Sequence, residues 1–238
     1  MTTINLINDD CLEAMKDLKE DSVDLLFCDL PYGILKCAWD CPINLEEFWK
    51  QVNRVCKDTT PMIFTCTTKF GNTLINSNPK NFRYDMVWIK SIATGFLNSR
   101  ERPLRKHEMV YVFYKSSPKI YPINIDIHHK KAITTDPNRT RQENYAYSCE
   151  SYNKTKYEPR LPHSILEITS ERGLHPTQKP VGLIEFFLKY FTKAGDVVLD
   201  PTMGSGSTGV ACQNMDRNFI GIEQDPKIFA VAQTRLNK

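Results

Sequence analysis

The sequence predicts an α/β protein built on an open sheet, and three observations predict it. Apolar runs of strand length alternate with helix-period stretches along most of the chain. Residues 197–209, Val-Val-Leu-Asp-Pro-Thr-Met-Gly-Ser-Gly-Ser-Thr-Gly, read as a strand, a glycine turn and a helix start. A third run, Val23–Cys28, is a compact apolar strand that stops at Asp29-Leu30-Pro31-Tyr32-Gly33. At 238 residues there is room for one sizeable α/β domain with a modest insertion, but not comfortably for two full domains.

The elements follow in order. Thr3–Ile7 reads as a short strand and Leu12–Leu18 as a helix. After Val23–Cys28, Asn44 precedes Leu45, Phe48, Trp49, Val52 and Val55, an apolar face at helical spacing, with Glu47 placed to close a capping interaction. Pro61–Cys66, Tyr84–Lys90 and Met109–Tyr114 read as strands. From Lys115 to Arg172 the pattern turns irregular and polar and holds five of the chain's ten tyrosines. A loop-rich stretch of that length is usually functional or disordered. Regular structure resumes with the apolar helix Val181–Phe191, strand Val197–Leu199, helix Ser207–Met215 and strand Phe219–Ile222. Asp225-Pro226 then offers a cap and a first-turn proline for a last helix.

Composition narrows the classes. Hydrophobic residues at 41% and charged residues at 25% are ordinary for a water-soluble globular protein. The N-terminus lacks the basic and apolar regions of a signal peptide, and no apolar run is long enough to span a bilayer. The expectation is a cytoplasmic protein, nucleoid-associated if it works on DNA, with no membrane partner. The eight cysteines (11, 28, 37, 41, 56, 66, 149 and 212) form no CxxC pair, so buried thiols are expected rather than disulfides or a metal site. Net charge is only +3, but residues 115–172 carry ten Lys/Arg against seven Asp/Glu and so hold the whole excess. A phosphate-binding surface could lie there.

The glycine turn alone leaves two ligands open. Gly204, Gly206 and Gly209 satisfy GxGxxG, and Glu223 ends the next strand as a nicotinamide-binding fold would require. A P-loop is excluded because no lysine follows the glycines. Asp200, at the strand's end, is awkward beside a pyrophosphate but suits a cationic ammonium such as that of S-adenosylmethionine. Glu223 can accept from ribose hydroxyls in either case.

Asp29-Leu30-Pro31-Tyr32 carries the chemistry. Following a buried strand, these residues should emerge at the carboxyl edge of the sheet, where open α/β sheets bind ligands; an ordinary strand-ending turn is the competing reading. An aromatic exocyclic amine gives its lone pair to the ring and is a poor nucleophile. Accepting its N–H groups on a carboxylate and a backbone carbonyl favours a more pyramidal nitrogen, and an aromatic ring can stack the base. Asp29, the Leu30 carbonyl and Tyr32 supply those three parts. This tetrapeptide resembles the [DNS]PP[YFW] motif of the amino-methyltransferase family of adenine- and cytosine-specific DNA enzymes, departing from it at Leu30. His175-Pro-Thr-Gln-Lys-Pro180 resembles that family's cofactor-side motif, Asp200–Thr208 its DPxxGSGT turn with Ser207 inserted before the threonine, and Phe219–Glu223 its second cofactor strand. The order, catalytic motif first and cofactor turn last, resembles the β class found in phages and restriction–modification systems.

The resemblance implies a Rossmann-like S-adenosylmethionine-dependent methyltransferase fold in circularly permuted order, with Thr3–Ile7 supplying in space the strand the C-terminal unit lacks. It divides the chain into a catalytic half (1–114), a target-recognition insertion (115–172) and a cofactor half (173–238). It implies catalytic residues Asp29, Leu30, Pro31 and Tyr32. It implies cofactor contacts from Asp10, Cys11, Asp29, Thr177, Lys179, Asp200, Thr202, Gly204, Ser205, Gly206, Ser207 and Glu223, with no metal. Asp10 would accept from the cofactor's adenine amino group, or cap the following helix, or both. An aspartate at the first motif position resembles adenine-specific members, serine being usual in cytosine-specific ones. The target nucleotide would be flipped out of double-stranded DNA. Candidate DNA contacts are Lys130, Lys131, Arg139, Arg141, Lys154 and Lys156 in the insertion, and Arg100, Arg102, Arg105 and Lys106 near the catalytic edge. His128 and His129 read as surface residues. The class includes dimers, so a second copy of the chain is a candidate partner. Competing readings are cytosine N4 methylation, methylation of a protein glutamine amide, a catalytically silent DNA-binding protein, and a dehydrogenase, which would leave DLPYG and HPTQKP without a role.

Overall fold

The computed structural model describes residues 2–31, 42–121, 162–171, 173 and 178–237. Along the chain the elements are β1 (Ile4–Ile7), α1 (Cys11–Ala14), β2 (Leu25–Cys28), α2 (Leu45–Val55), β3 (Met62–Cys66), α3 (Thr68–Ser77), β4 (Phe82–Thr94), β5 (Arg105–Phe113), β6 (Ile165–Glu167), α4 (Val181–Phe191), β7 (Val197–Asp200), α5 (Ser207–Asn214), β8 (Asn218–Ile222) and α6 (Pro226–Leu236). The strands form one sheet in the order β1-β8-β7-β2-β3-β5-β4-β6. β1, β8, β7, β2 and β3 run parallel, and β5 is antiparallel to both its neighbours. The carboxyl ends of β7, β8, β1, β2, β3 and β4 therefore share one edge with the amino end of β5.

Each strand alternates its side chains between two apolar layers. On one face Leu26, Cys28, Met62, Phe64 and Phe113 meet Phe48, Trp49, Val52 and Val55 of α2 and Leu74 of α3. On the other, Leu25, Phe27, Ile63, Val112 and Val198 meet Leu183, Ile184, Phe187 and Leu188 of α4 and residues of α5 and α6. The Trp49 ring centroid lies 5.4 Å from Phe64 and 5.2 Å from Phe113, tying α2 to the sheet centre. The helices begin where short polar side chains satisfy their first amides. Asn44 accepts from the Glu46 and Glu47 amides, and Asp225 from those of Lys227 and Ile228 ahead of α6, which starts at Pro226. Glu47 does not close a box on Asn44; it lies 3.5 Å from Lys50 instead.

β1 pairs in parallel with β8, from Ile4 opposite Phe219 to Ile7 opposite Ile222, so the N-terminal strand completes the C-terminal unit in space. Other expectations are corrected. The helix expected over Leu12–Leu18 is one α-turn followed by a 3₁₀ turn, Met15–Asp17. β4 and β5 extend well past their apolar runs, because cross-strand pairing carries them on as a hairpin to Thr94 and Arg105. α3 has too few apolar residues to stand out in the sequence, yet Thr67 caps it and Leu74 buries it. Residues 115–121 and 163–171 belong to the α/β unit, and β6 pairs in parallel with β4. β6 is too short, at three residues, to show a period. Residues 122–162 divide off as a second unit, which except for Pro162 lies outside the described residues.

Candidate active site

β7 and β2 are adjacent and parallel, and the chain winds outward from them in opposite directions, β7 toward β8 and β2 toward β3. A crevice is expected at the carboxyl ends of such a strand pair. A cavity of about 1230 Å³ lies there. That exceeds the roughly 300–1,000 Å³ usual for one small ligand, so two ligands can meet in it.

β2 is wholly buried, and the chain leaves it through Asp29 and Leu30. The Leu30 side chain is 2% exposed and belongs to the core under α2. This leucine thus fixes the turn by burial, where a proline would fix it by ring geometry. Asp29 stands at the cavity wall. Its carbonyl accepts from the Thr202 hydroxyl at 3.2 Å, which joins the two strand ends. Its carboxylate accepts from the Thr65 hydroxyl at 3.1 Å through Oδ1 and from the Lys179 ammonium through Oδ2. Lys179 Nζ also lies 3.6 Å from Glu108 Oε2, and Glu108 Oε1 accepts from Lys90 Nζ at 3.1 Å. Two carboxylates and two ammoniums thus alternate across β2, β5, β4 and the segment before α4. Burial alone would raise the Glu108 carboxyl, but Lys179 and Lys90 outweigh it and hold it below the usual range. Burial would likewise lower Lys179, but Asp29 and Glu108 raise it above its ordinary value. Lys179 is held in place by Glu171, whose carboxylate accepts from the Gln178 side-chain amide at 3.2 Å and from the Val181 amide at 2.9 Å, capping α4.

The glycine turn forms the other wall. Asp200 is 4% exposed, and its oxygens accept from the Thr202 amide at 3.1 Å and the Thr208 hydroxyl at 2.5 Å. Burial pushes its carboxyl up to about 7 against those two bonds, with Asp29 and Glu223 adding to the rise. The Glu223 carboxylate accepts from the Gly204 amide at 3.1 Å and the Asp225 amide at 2.9 Å, and burial raises it too. Each carboxylate retains unused lone pairs. Gly204, at φ +51°, has nothing within 4 Å of where a Cβ would stand, so a ligand can approach its backbone. Asp10 caps α1 by accepting from the Leu12 amide at 2.8 Å. Together these groups suit a ligand with hydroxyls near Glu223 and a positive end near Asp200.

Asp10, Cys11, Asp29, Leu30, Pro31, Lys179, Asp200, Thr202, Gly204, Ser205, Ser207 and Glu223 all line the cavity. Gly206 does not. At φ +79° it begins α5, and a Cβ there would stand 3.1 Å from Leu236, so its part is helix packing. Lys179, expected among the cofactor contacts, has Asp29 and Glu108 as its described partners. Tyr32 and Thr177 lie outside the described residues, as do Lys130, Lys131, Arg139, Arg141, Lys154, Lys156, His128 and His129. Arg102 and Arg105 line the cavity while Arg100 and Lys106 stand exposed beyond it. Lys90, Glu108, Thr65 and Glu171 escaped the sequence reading. The one signal was Lys90 closing an apolar strand, which wants a buried partner. Cys11, Cys28, Cys56, Cys66 and Cys212 are buried free thiols raised by burial, Cys11 and Cys56 to about 12. Cys37, Cys41 and Cys149 lie outside the described residues.

Comparison with known proteins points the same way. The model of the DNA methylase family N6_N4_Mtase matches residues 23–234. Type II methyltransferase M.HpaI of Haemophilus parainfluenzae is 26% identical over 243 residues, 98% of this chain and 74% of the relative. M2.MboI of Moraxella bovis is 25% identical over 264 residues, 98% of this chain and 88% of the relative. Among solved structures, the M1.HpyAVI–SAM complex is similar at 26% identity with a TM-score of 0.65, covering 99% of this chain and 100% of that one. The cytosine-N4-specific PvuII DNA methyltransferase, at 18% identity and TM-score 0.72 over 98% of this chain and 87% of its own, shares the fold.

Proposed function

The chain belongs to the N6_N4_Mtase family of DNA methylases, and from that premise we propose that it moves the methyl group of S-adenosyl-L-methionine onto the exocyclic amine of adenine in double-stranded DNA. The observation that carries this reading is Asp29, a carboxylate at the strand junction with the glycine turn on one side and cavity space on the other. S-adenosylmethionine supplies a methyl group already activated on a sulfonium. Asp10, Asp200, Gly204, Ser205, Ser207 and Glu223 would hold it, and the open backbone at Gly204 with the lone pairs left on Glu223 and Asp200 fits it.

Asp29 accepts an N–H of the target amine, and the Leu30 carbonyl is assigned the second. The nitrogen is thereby favoured in a pyramidal form whose lone pair is freer to attack. Tyr32 is assigned to stack the base. Holding the amine in line can lower the barrier by roughly 7–11 kcal/mol, as in well-oriented reactions generally. The nitrogen sheds one proton on methylation, and Asp29 is the nearest assigned acceptor. Aspartate in the first motif position supports adenine over cytosine, because it resembles the adenine-specific members.

Nucleoside mass spectrometry on DNA from cells expressing the chain tests the proposal. N6-methyladenine is expected above the level of an Asp29→Ala control. N4-methylcytosine instead would reverse the base assignment, and no new methylated nucleoside would remove the activity.

A further inference from the structure

Four of the seven large apolar side chains exposed among the described residues, Ile92, Phe96, Leu97 and Leu104, belong to the hairpin that joins β4 to β5. Scattered single cases need no explanation, whereas a cluster does. Phe96 is 79% and Leu97 96% exposed. They sit on a well-formed turn, not a loose one. The Asn98 and Ser99 amides donate to the Gly95 and Phe96 carbonyls at 3.0 Å, and the Glu101 and Arg102 amides donate to the Asn98 carbonyl at 3.0 and 3.1 Å. Gly95, at φ +93°, makes the entry bend. The turn is closed by the Thr94–Arg105 pair, and the Thr94 hydroxyl accepts from Lys90 at 3.3 Å, which ties its base to the charged network reaching Asp29.

The base of this turn is also the rim of the cavity, through Thr94, Gly95, Arg102, Leu104 and Arg105. Arg100, Arg102, Arg105 and Lys106 face one acid, Glu101. An apolar tip on a basic collar beside the mouth of this cavity suits a polyanion whose interior is apolar, which describes stacked duplex DNA. A nucleotide that leaves the stack for the cavity opens a gap at that mouth, and an ordered aromatic or aliphatic side chain can occupy it.

We propose that Phe96 and Leu97 form a wedge that enters the DNA stack where the target nucleotide leaves it, while Arg100 and Arg102 grip the flanking phosphates. The proposal rests on the DNA-methylation reading and adds the element that opens the duplex. Holding the gap filled slows the return of the base, so the wedge matters while the target is paired and little once it is not.

The test uses the full chain carrying Phe96→Ala and Leu97→Ala together. Its substrate is a synthetic duplex containing the target sequence, mapped by sequencing methylated positions in DNA from expressing cells. A second duplex is identical but has an abasic site opposite the target base. The double variant should lose turnover on the paired duplex by about tenfold or more, the scale expected for lost support of an unstacked step. On the abasic duplex it should return close to the wild-type rate, with its melting temperature and S-adenosylmethionine affinity unchanged. Full turnover on the paired duplex would overturn the wedge. So would a loss that the abasic duplex does not restore. Loss of a dimer in sedimentation on making the same substitutions would assign the tip to a contact between copies instead. A wild-type chain inactive on both duplexes would fell the methylation reading and the wedge with it, an outcome distinct from failure in the variant alone.

Discussion

The carboxylate of Asp29 does not stand alone; it shares Lys179 with Glu108. This sharing makes a specific prediction for Asp29→Ala. Removing one partner of a buried pair ordinarily costs about 3–5 kcal/mol because the other charge is stranded. Here Glu108 remains for Lys179, so the variant should fold and bind S-adenosylmethionine while turnover falls by about a hundredfold or more, the scale of losing one preorganised hydrogen-bond partner. Stopped methyl-transfer assays beside calorimetric cofactor titration separate the two. Glu108→Gln should act oppositely on the pair. Lys179 then has Asp29 as its one carboxylate partner among those described and competes with the amine for it. Turnover should fall while cofactor affinity holds. Asp200 gives a pH prediction. Its folded value, about 7, lies above the ordinary 3.8, so the folded state holds a proton that the unfolded chain releases. Stability should therefore fall as pH rises from about 4 to 7 and then level off. Affinity for a cationic ligand should run the other way, rising as Asp200 ionises near 7. Asp200→Asn should flatten both curves, followed by denaturant midpoints and by cofactor titration across that range.

At the level of elements, the site depends on turns held by buried anchors. α2 packs its apolar face under Leu30 and β2, and Asn44 starts it. Asn44→Ala removes the acceptor for two amides and should cost about 1 kcal/mol, read as a lower denaturant midpoint with an unchanged slope. α4 has no side-chain cap of its own at Pro180 and takes Glu171 from the strand β6 side instead. That arrangement explains why Ile165–Glu167 joins the main sheet although its local sequence shows no period: its pairing with β4 brings Glu171 to the segment that carries Lys179. The β4–β5 hairpin likewise outgrows its apolar core, and the half-buried Lys90–Glu108 pair joins its two strands there.

On the scale of the whole molecule, the basic collar meets the cavity edge through Arg102 and Arg105. Changing Arg100, Arg102, Arg105 and Lys106 to Gln should flatten the plot of log binding constant against log salt for duplex DNA by up to about 0.9 per residue removed. Fluorescence anisotropy at several salt concentrations would read that slope, and an unaltered slope would exclude the collar from phosphate contact. The doubly wound order sets this geometry. Parallel strands bring Asp10, Glu223, Asp200 and Asp29 to one edge in spatial order β1, β8, β7, β2, although Asp10 and Glu223 lie at opposite ends of the chain.

Much of this was legible in the amino-acid sequence alone. The strand-ending Asp29-Leu30-Pro31, the glycine turn after Asp200 and the acidic end of the next strand are short-range patterns, and the chemistry they need is local. Strand periods and caps are local as well, so an open α/β sheet could be argued from them, and the family resemblance implied the place of β1 beside the C-terminal unit. Only the tertiary structure decided that Lys179 belongs to Asp29, 150 residues away, that Leu30 anchors the turn by burial, and that Lys90 and Glu108 extend the site. It also decided that the turn carrying Phe96 has its base at the cavity rim. Those facts arise from pairing between distant strands, where register and burial select partners and no nearby residue records the choice.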